Sequence, residues 1–183
     1  MNCMSIQEKA TAFLDEKDII NILHKYGNPT VVGSYRMQIM TWNDLDFYMS
    51  LADFDIDHYY DLVKELINVL KPIRFDGICN PDKKILFIGM EVLYDEERWN
   101  IDIWWKNERE IADAVSYAND LILQMQLHPE LKDAVIGIKR ELINRKMYGF
   151  DKGKVHYHSN EIYDAVFNKG ILTKEEFLSG RGE

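Results

Sequence analysis

The sequence predicts an α/β fold: a mixed sheet of about five strands with helices packed on it, followed by a C-terminal helical region. Three observations carry this. Short runs rich in β-branched and aromatic residues fall at 30–32, 44–49, 73–79, 85–93 and 98–105. Apolar residues at helical spacing lie before and between them, and from Glu108 onward strand patterning gives way to helical patterning alone. The expected organisation is therefore an α/β core over 1–107 and a helical region over 108–183.

In order along the chain, Ile6, Ala10, Phe13 and Leu14, then Ile19, Ile20 and Leu23, recur at helical intervals until Gly27 and Pro29 stop them. One or two helices thus precede the first strand, and His24 reads as a helix-face residue. Thr30-Val31-Val32 is β-branched and reads as a short buried strand. It runs into Gly33-Ser34, where a missing Cβ lets another backbone or a ligand approach closely. After a helical turn over 35–40 comes Asp44-Leu45-Asp46-Phe47-Tyr48-Met49. Asp44 and Asp46 lie two apart and point from one face of a strand, while Leu45 and Phe47 point into the core.

Ile56, Tyr59, Tyr60, Val63, Leu66, Ile67 and Leu70 mark a helical stripe that ends at Lys71-Pro72. Asp53, Asp55, Asp57 and His58 resemble a metal cluster, but acids at a helix start are also what the helix dipole favours, and that reading is preferred. The runs 73–79, 85–93 and 98–105 are separated by turn-like Asn80-Pro81-Asp82 and Tyr94-Asp95-Glu96-Glu97. They predict adjacent antiparallel strands, the last of them beside the Asp44–Asp46 strand, with helices on one face. In that last strand Asp102 stands between Ile101 and Ile103; a buried structural Asp is the plain alternative to a functional one.

Beyond Glu108, Ile111, Ala112, Val115, Ala118, Leu121, Ile122 and Met125 form one helical stripe. Leu131, Val135, Ile138, Leu142 and Ile143 form another, with Pro129 in the first turn, where its ring does least harm. Lys139, Arg140, Arg145 and Lys146 read as a solvated helix face; in the alternative, one of them reaches a triphosphate. A loop holding Lys152, Lys154, His156 and His158 leads to the helix start Ser159-Asn160-Glu161 and a helix over 162–167. His156 and His158 read first as structural or surface residues, next as substrate or phosphate contacts, and last as zinc ligands. Thr173-Lys174-Glu175-Glu176 has the form of a capping box before a final helix.

The whole-chain numbers bound the function. At 183 residues and 46% hydrophobic content a proper core can form. A formal charge of −9 disfavours a protein that tracks nucleic acid, which needs a positive stripe, but leaves room for a single nucleotide carried with Mg²⁺. Two cysteines, Cys3 and Cys79, argue against a disulfide framework and for a reducing compartment. With no signal peptide or membrane-spanning run in the sequence, a cytoplasmic location and no membrane partner are expected.

The chemistry follows from charge. Two carboxylates held close together are costly unless a proton or a metal offsets them, and Mg²⁺ favours one or two carboxylates plus substrate phosphates. Asp102 adds a third acid. Three acids on adjacent strands can hold two metals roughly 3.5–4 Å apart, clamping the attacking and leaving oxygens of a phosphoryl transfer. Arg36, two residues beyond Ser34, reads as a phosphate partner or as a surface residue of the turn. Trp42, Trp99, Trp104 and Trp105 bracket the acids, as core or as rings that stack a base or a sugar-like acceptor.

Taken together, an apolar residue, Gly33-Ser34, nine intervening residues, Asp44-Leu45-Asp46, and a distant apolar strand centred on Asp102 resemble the signature of the DNA polymerase β-like nucleotidyltransferase superfamily. Within it the chain looks most like the small bacterial enzymes that adenylylate aminoglycoside or lincosamide antibiotics. The resemblance covers about residues 28–105. It implies catalytic and metal-binding roles for Asp44, Asp46 and Asp102, nucleotide binding at Gly33, Ser34 and Arg36, and Mg²⁺, two ions, as cofactor. The reaction it implies moves a nucleoside monophosphate from an NTP, with ATP expected, to a hydroxyl of a small acceptor such as an antibiotic. The alternative is a catalytically silent member serving as a binding or toxin–antitoxin module; a full set of three acids favours activity. A homodimer is compatible with either.

Overall fold

A computed structural model gives the fold, with residues 4–149 and 156–180 described. Ser5 opens helix α1 (Ile6–Glu16): its hydroxyl accepts the Glu8 N–H while the Glu8 carboxylate accepts the Ser5 N–H. Asp18, left-handed at φ 54°, ends this run and starts α2 (Ile19–His24) in a new phase. Hence there are two helices, and Ile22 rather than Ile20 joins Ile19 and Leu23 in the core.

The strands are β1 (Thr30–Val32), β2 (Asp44–Ser50), β3 (Arg74–Asn80), β4 (Ile85–Tyr94) and β5 (Glu97–Lys106). A one-turn helix α3 (Gly33–Arg36) follows β1, and α4 (Ile56–Leu70) joins β2 to β3. The sheet order is β1-β2-β5-β4-β3. β2 and β5 are parallel and every other pair is antiparallel. This is the mixed five-stranded sheet expected, with the Asp102 strand beside the Asp44–Asp46 strand.

Alternation along the strands divides the sheet into two faces. Leu45, Phe47 and Met49 of β2, Ile88, Met90 and Val92 of β4, and Trp99, Ile101, Ile103 and Trp105 of β5 are buried in one cluster with α1, α2 and α4. Aromatic pairs tie that layer together: Phe13 stacks on Tyr94 at 4.5 Å, and Tyr59 meets Trp105 at 5.3 Å. In α4 the buried face is Tyr59, Leu62, Leu66 and Leu70, whereas Ile56, Tyr60 and Ile67 are exposed. The expected stripe was therefore too wide and omitted Leu62, which completes the i, i+3, i+7 face begun at Tyr59. Asp55 caps the helix, its carboxylate accepting the N–H groups of Asp57 and His58, each at 2.9 Å. Those bonds, that of His58 foremost, hold its carboxyl below the usual range, so this acidic stretch is helix-start chemistry.

The chain divides into two compact units between Ala118 and Asn119, inside α5 (Glu108–Leu127). The first turn of α5 belongs with the sheet: Ser50 Oγ donates to Glu108, and Lys106 Nζ lies 3.5 Å from Glu110. The second unit holds α6 (Pro129–Asn144), α7 (Ser159–Tyr163), which continues into a π-helical turn at Asp164–Asn168, and α8 (Lys174–Ser179). Lys139 departs from the expected solvated face. It is 1% exposed, and its ammonium donates to Tyr163 Oη at 2.8 Å and lies 4.8 Å from that ring's centroid. Its position explains this, since Val135, Ile138, Lys139 and Leu142 share one face of α6. Arg140, Arg145 and Lys146 are exposed. Tyr157 is buried, and His158 caps α7 with its N–H donating to Glu161 at 2.9 Å. The Thr173 hydroxyl accepts the Glu176 N–H at 3.2 Å at the start of α8. Cys3, Lys152 and Lys154 lie outside the described residues. Among the described residues, no helix is long and apolar enough to cross a membrane.

Candidate active site

The face of the sheet turned away from α1, α2 and α4 collects the acids. Asp44 pairs across β2 and β5 with Asn100, and Asp46 with Asp102. Paired residues in adjacent strands point to the same side, so all three carboxylates share one face. One oxygen from each can be chosen so that all lie within 4.8 Å of one another, and all three residues are half-buried. Asn43 fixes this register: its side-chain amide donates to Glu97 at 3.2 Å and to the Arg98 carbonyl at 3.0 Å, and its own carbonyl accepts the Asn100 N–H at 2.9 Å.

Gly33 sits directly against the acids. It has φ +67°, and a β-carbon there would stand 2.1 Å from Asp46 Oδ2. Backbone conformation and space both demand glycine at this position. Val32, just before it, pairs with Asp46 across β1 and β2. Ser34 follows in the turn of α3, its carbonyl accepting the Ile39 N–H at 3.0 Å. Arg36 reaches back along the same turn, with Nη1 3.5 Å from the Val31 carbonyl.

The electrostatics carry the mark of crowded carboxylates. Burial first, then Asp46, then Asp76 push the Asp102 carboxyl up to about 6. Asp76 was not singled out in the sequence. It pairs with Gly89, which pairs with Asp102, so it lies on the same row of the sheet two strands away. It also forms an exposed ion pair with Arg74 at 2.8 Å. A glycine inside the apolar run 85–93 was the available signal, because such a residue often marks a close approach across a sheet. Placing Asp76 still required the register of three strands.

The tryptophans separate into two groups. Trp99 and Trp105 are buried in the core, while Trp104 is half-buried on the face of the acids and Trp42 is exposed on the loop before Asp44. A cleft of about 670 Å³ elsewhere in this unit, lined by Leu51, Phe54, Leu86, Lys84 and Arg109 among others, includes none of the three acids.

No protein-family model matches the chain, and no curated protein matches it. Solved structures do. The chain is similar to a cytoplasmic RNA terminal U-transferase, with 16% identity and a TM-score of 0.61 over 88% of this chain and 47% of that one. It is similar to the Cid1 poly(U) polymerase with Mg 3′-dATP bound, with 15% identity and a TM-score of 0.62 over 88% and 48%. It is also similar to the GLD-2–GLD-3 poly(A) polymerase complex, with 16% identity and a TM-score of 0.64 over 92% and 55%. This is a nucleotidyltransferase fold. The chain spans about half the length of these structures, and at such identities the likeness is one of fold. They are named as an RNA terminal U-transferase, a poly(U) polymerase and a poly(A) polymerase complex, and none is named for antibiotic modification.

Proposed function

We propose that the protein is a metal-dependent nucleotidyltransferase that moves a nucleoside monophosphate from an NTP, ATP in the first instance, to a hydroxyl of a small acceptor. The observation that carries this is the convergence of Asp44, Asp46 and Asp102 to within 4.8 Å on one face. Three carboxylates so placed are the donor set that hard divalent cations take. The Asp102 carboxyl is raised by burial first and then by Asp46 and Asp76, and a cation would offset the second of these causes. When bound, Mg²⁺ supplies charge neutralisation at the phosphates of the NTP.

The remaining work falls to the chain. Gly33 leaves the space in which Asp46 stands, and the Gly33 and Ser34 N–H groups with the Ser34 hydroxyl serve as donors to the triphosphate. Arg36 adds charge to that side. Asp102 either joins Asp44 and Asp46 as a ligand or takes the acceptor's proton. In the transfer the acceptor hydroxyl gives up its proton and its oxygen bonds the α-phosphorus. The bond from that phosphorus to the bridging oxygen breaks, and pyrophosphate leaves. Positioning and charge neutralisation dominate such a reaction.

The net charge of −9 supports a small acceptor over a polynucleotide. An RNA 3′-hydroxyl is the second reading, favoured by the names of the similar structures. Incubation with each α-³²P-labelled NTP and Mg²⁺, against a panel of small hydroxyl compounds and an RNA oligomer, separates them. Label on a small molecule supports the first reading, and label on RNA alone supports the second. No transfer to any acceptor, with no pyrophosphate released, contradicts both.

A further inference from the structure

The acids end where an aromatic shelf begins. One step of two residues along β2 and β5 from the Asp46–Asp102 pair, Tyr48 pairs with Trp104, and Trp104 pairs in turn with Phe87 of β4. Three aromatic side chains from three adjacent strands thus stand on the face of the acids, roughly 7 Å further along the strands. The Phe87 and Trp104 rings are 4.3 Å apart and inclined by 32°. The core has no use for them: it lies on the opposite face, filled from the same strands by Phe47, Ile88 and Ile103. All three shelf residues are half-buried, and Ile78, which pairs with Phe87, is 44% exposed.

Gly89 lets this shelf reach the acids. A β-carbon there would stand 2.6 Å from Phe87 Cζ and 3.5 Å from Asp102 Oδ1, so ring and carboxylate flank the same point. At the other end Lys106 Nζ lies 5.6 Å from the Trp104 centroid and 6.0 Å from that of Tyr48. The face therefore runs from acids, through aromatic rings, to the Lys106–Glu110 ion pair. That sequence of chemistries fits a molecule with hydroxyls beside a planar ring. A polycationic sugar has no ring to stack.

Resting on the nucleotidyltransferase reading above, we propose that Tyr48, Trp104 and Phe87 form the acceptor platform and that the acceptor is nucleoside-like. Its heteroaromatic ring packs against the shelf that Tyr48, Trp104 and Phe87 form, and a ribose hydroxyl, about one base-to-sugar span away, meets Asp102. The flat faces supply attraction without reading the identity of the base.

The test uses the full chain. Adenosine, uridine and kanamycin, which lacks an aromatic ring, are titrated calorimetrically into wild type, Trp104→Leu and Trp104→Phe with Mg²⁺ alone, so that the shelf is read whatever becomes of the NTP site. Nucleosides are expected to bind, to weaken roughly tenfold in Trp104→Leu, and to recover in Trp104→Phe. With α-³²P-ATP added, the same variants are expected to show the loss in KM for the nucleoside rather than in kcat. Phe87→Leu gives a second reading should Trp104→Leu fail to fold. Nucleoside affinity indifferent to both leucine variants overturns the proposal, as does a preference for kanamycin or transfer confined to an RNA end. The nucleotidyltransferase reading fails separately, by ATP binding that ignores Asp44.

Discussion

Gly33 and Asp46 compete for one volume: the Cβ that any other residue would place at position 33 falls 2.1 Å from Asp46 Oδ2, at a φ of +67°. Replacing Gly33 with alanine must displace the carboxylate or the turn. The left-handed backbone alone costs about 1–2 kcal/mol. Gly33→Ala is expected to lower the melting temperature and to weaken Mg²⁺-dependent ATP binding at least tenfold, measured by scanning and titration calorimetry. Wild-type binding in this variant would detach the glycine turn from the site.

Asp102 makes the metal-free protein sensitive to pH. Its folded carboxyl is raised from 3.8 to about 6, by burial first and then by Asp46 and Asp76. Between those values the folded state holds more protons than the unfolded one, so stability falls as pH rises through this window and stays lower above it. Asp102→Asn is therefore expected to raise the melting temperature at about pH 8 and to leave it nearly unchanged at about pH 4. A gain of equal size at both would contradict the assignment. Asp76→Asn should lower the Asp102 titration midpoint, read by NMR.

Asp55 separates helix capping from metal binding. Its carboxylate accepts two N–H groups at the start of α4. Asp55→Ala is expected to cost about 1 kcal/mol in chemical denaturation and to leave Mg²⁺ affinity unchanged. Weakened Mg²⁺ binding would restore the acidic stretch as a metal site.

Two α4 substitutions locate its buried face. Leu62 is fully buried and Ile67 is 39% exposed. Leu62→Ala should cost about 2–5 kcal/mol, and Ile67→Ala about 0.5 kcal/mol or less. The reverse order would rotate the helix.

What the residues revealed before folding, and what they withheld, has a physical pattern. Asp44 and Asp46 were legible because two-residue spacing fixes a shared face, and Asp102 because a lone carboxylate between Ile101 and Ile103 stands out. The run β3, β4, β5 followed from the short turns that join them, whereas the pairing of β1 with β2 was not expected from the sequence. The inward rotation of Lys139 was hidden because a charged residue between apolar ones reads as surface until Tyr163 supplies a partner. The phase break at Asp18 depends on a single backbone angle, and the face of α4 on which layer it meets. Asp76 and Gly89 align with Asp102, and Phe87 with Trp104, only through cross-strand pairing, which no local pattern encodes.

In the proposed function, Asp44, Asp46 and Asp102 hold the cation through which the nucleotide binds. Titration calorimetry of ATP into the full chain, with Mg²⁺ and with EDTA, tests it in wild type and in folded Asp44→Asn and Asp46→Asn variants. Mg²⁺-dependent binding is expected in wild type, weakening at least tenfold in each variant. Equal affinity in all three proteins, or binding indifferent to EDTA, would contradict it.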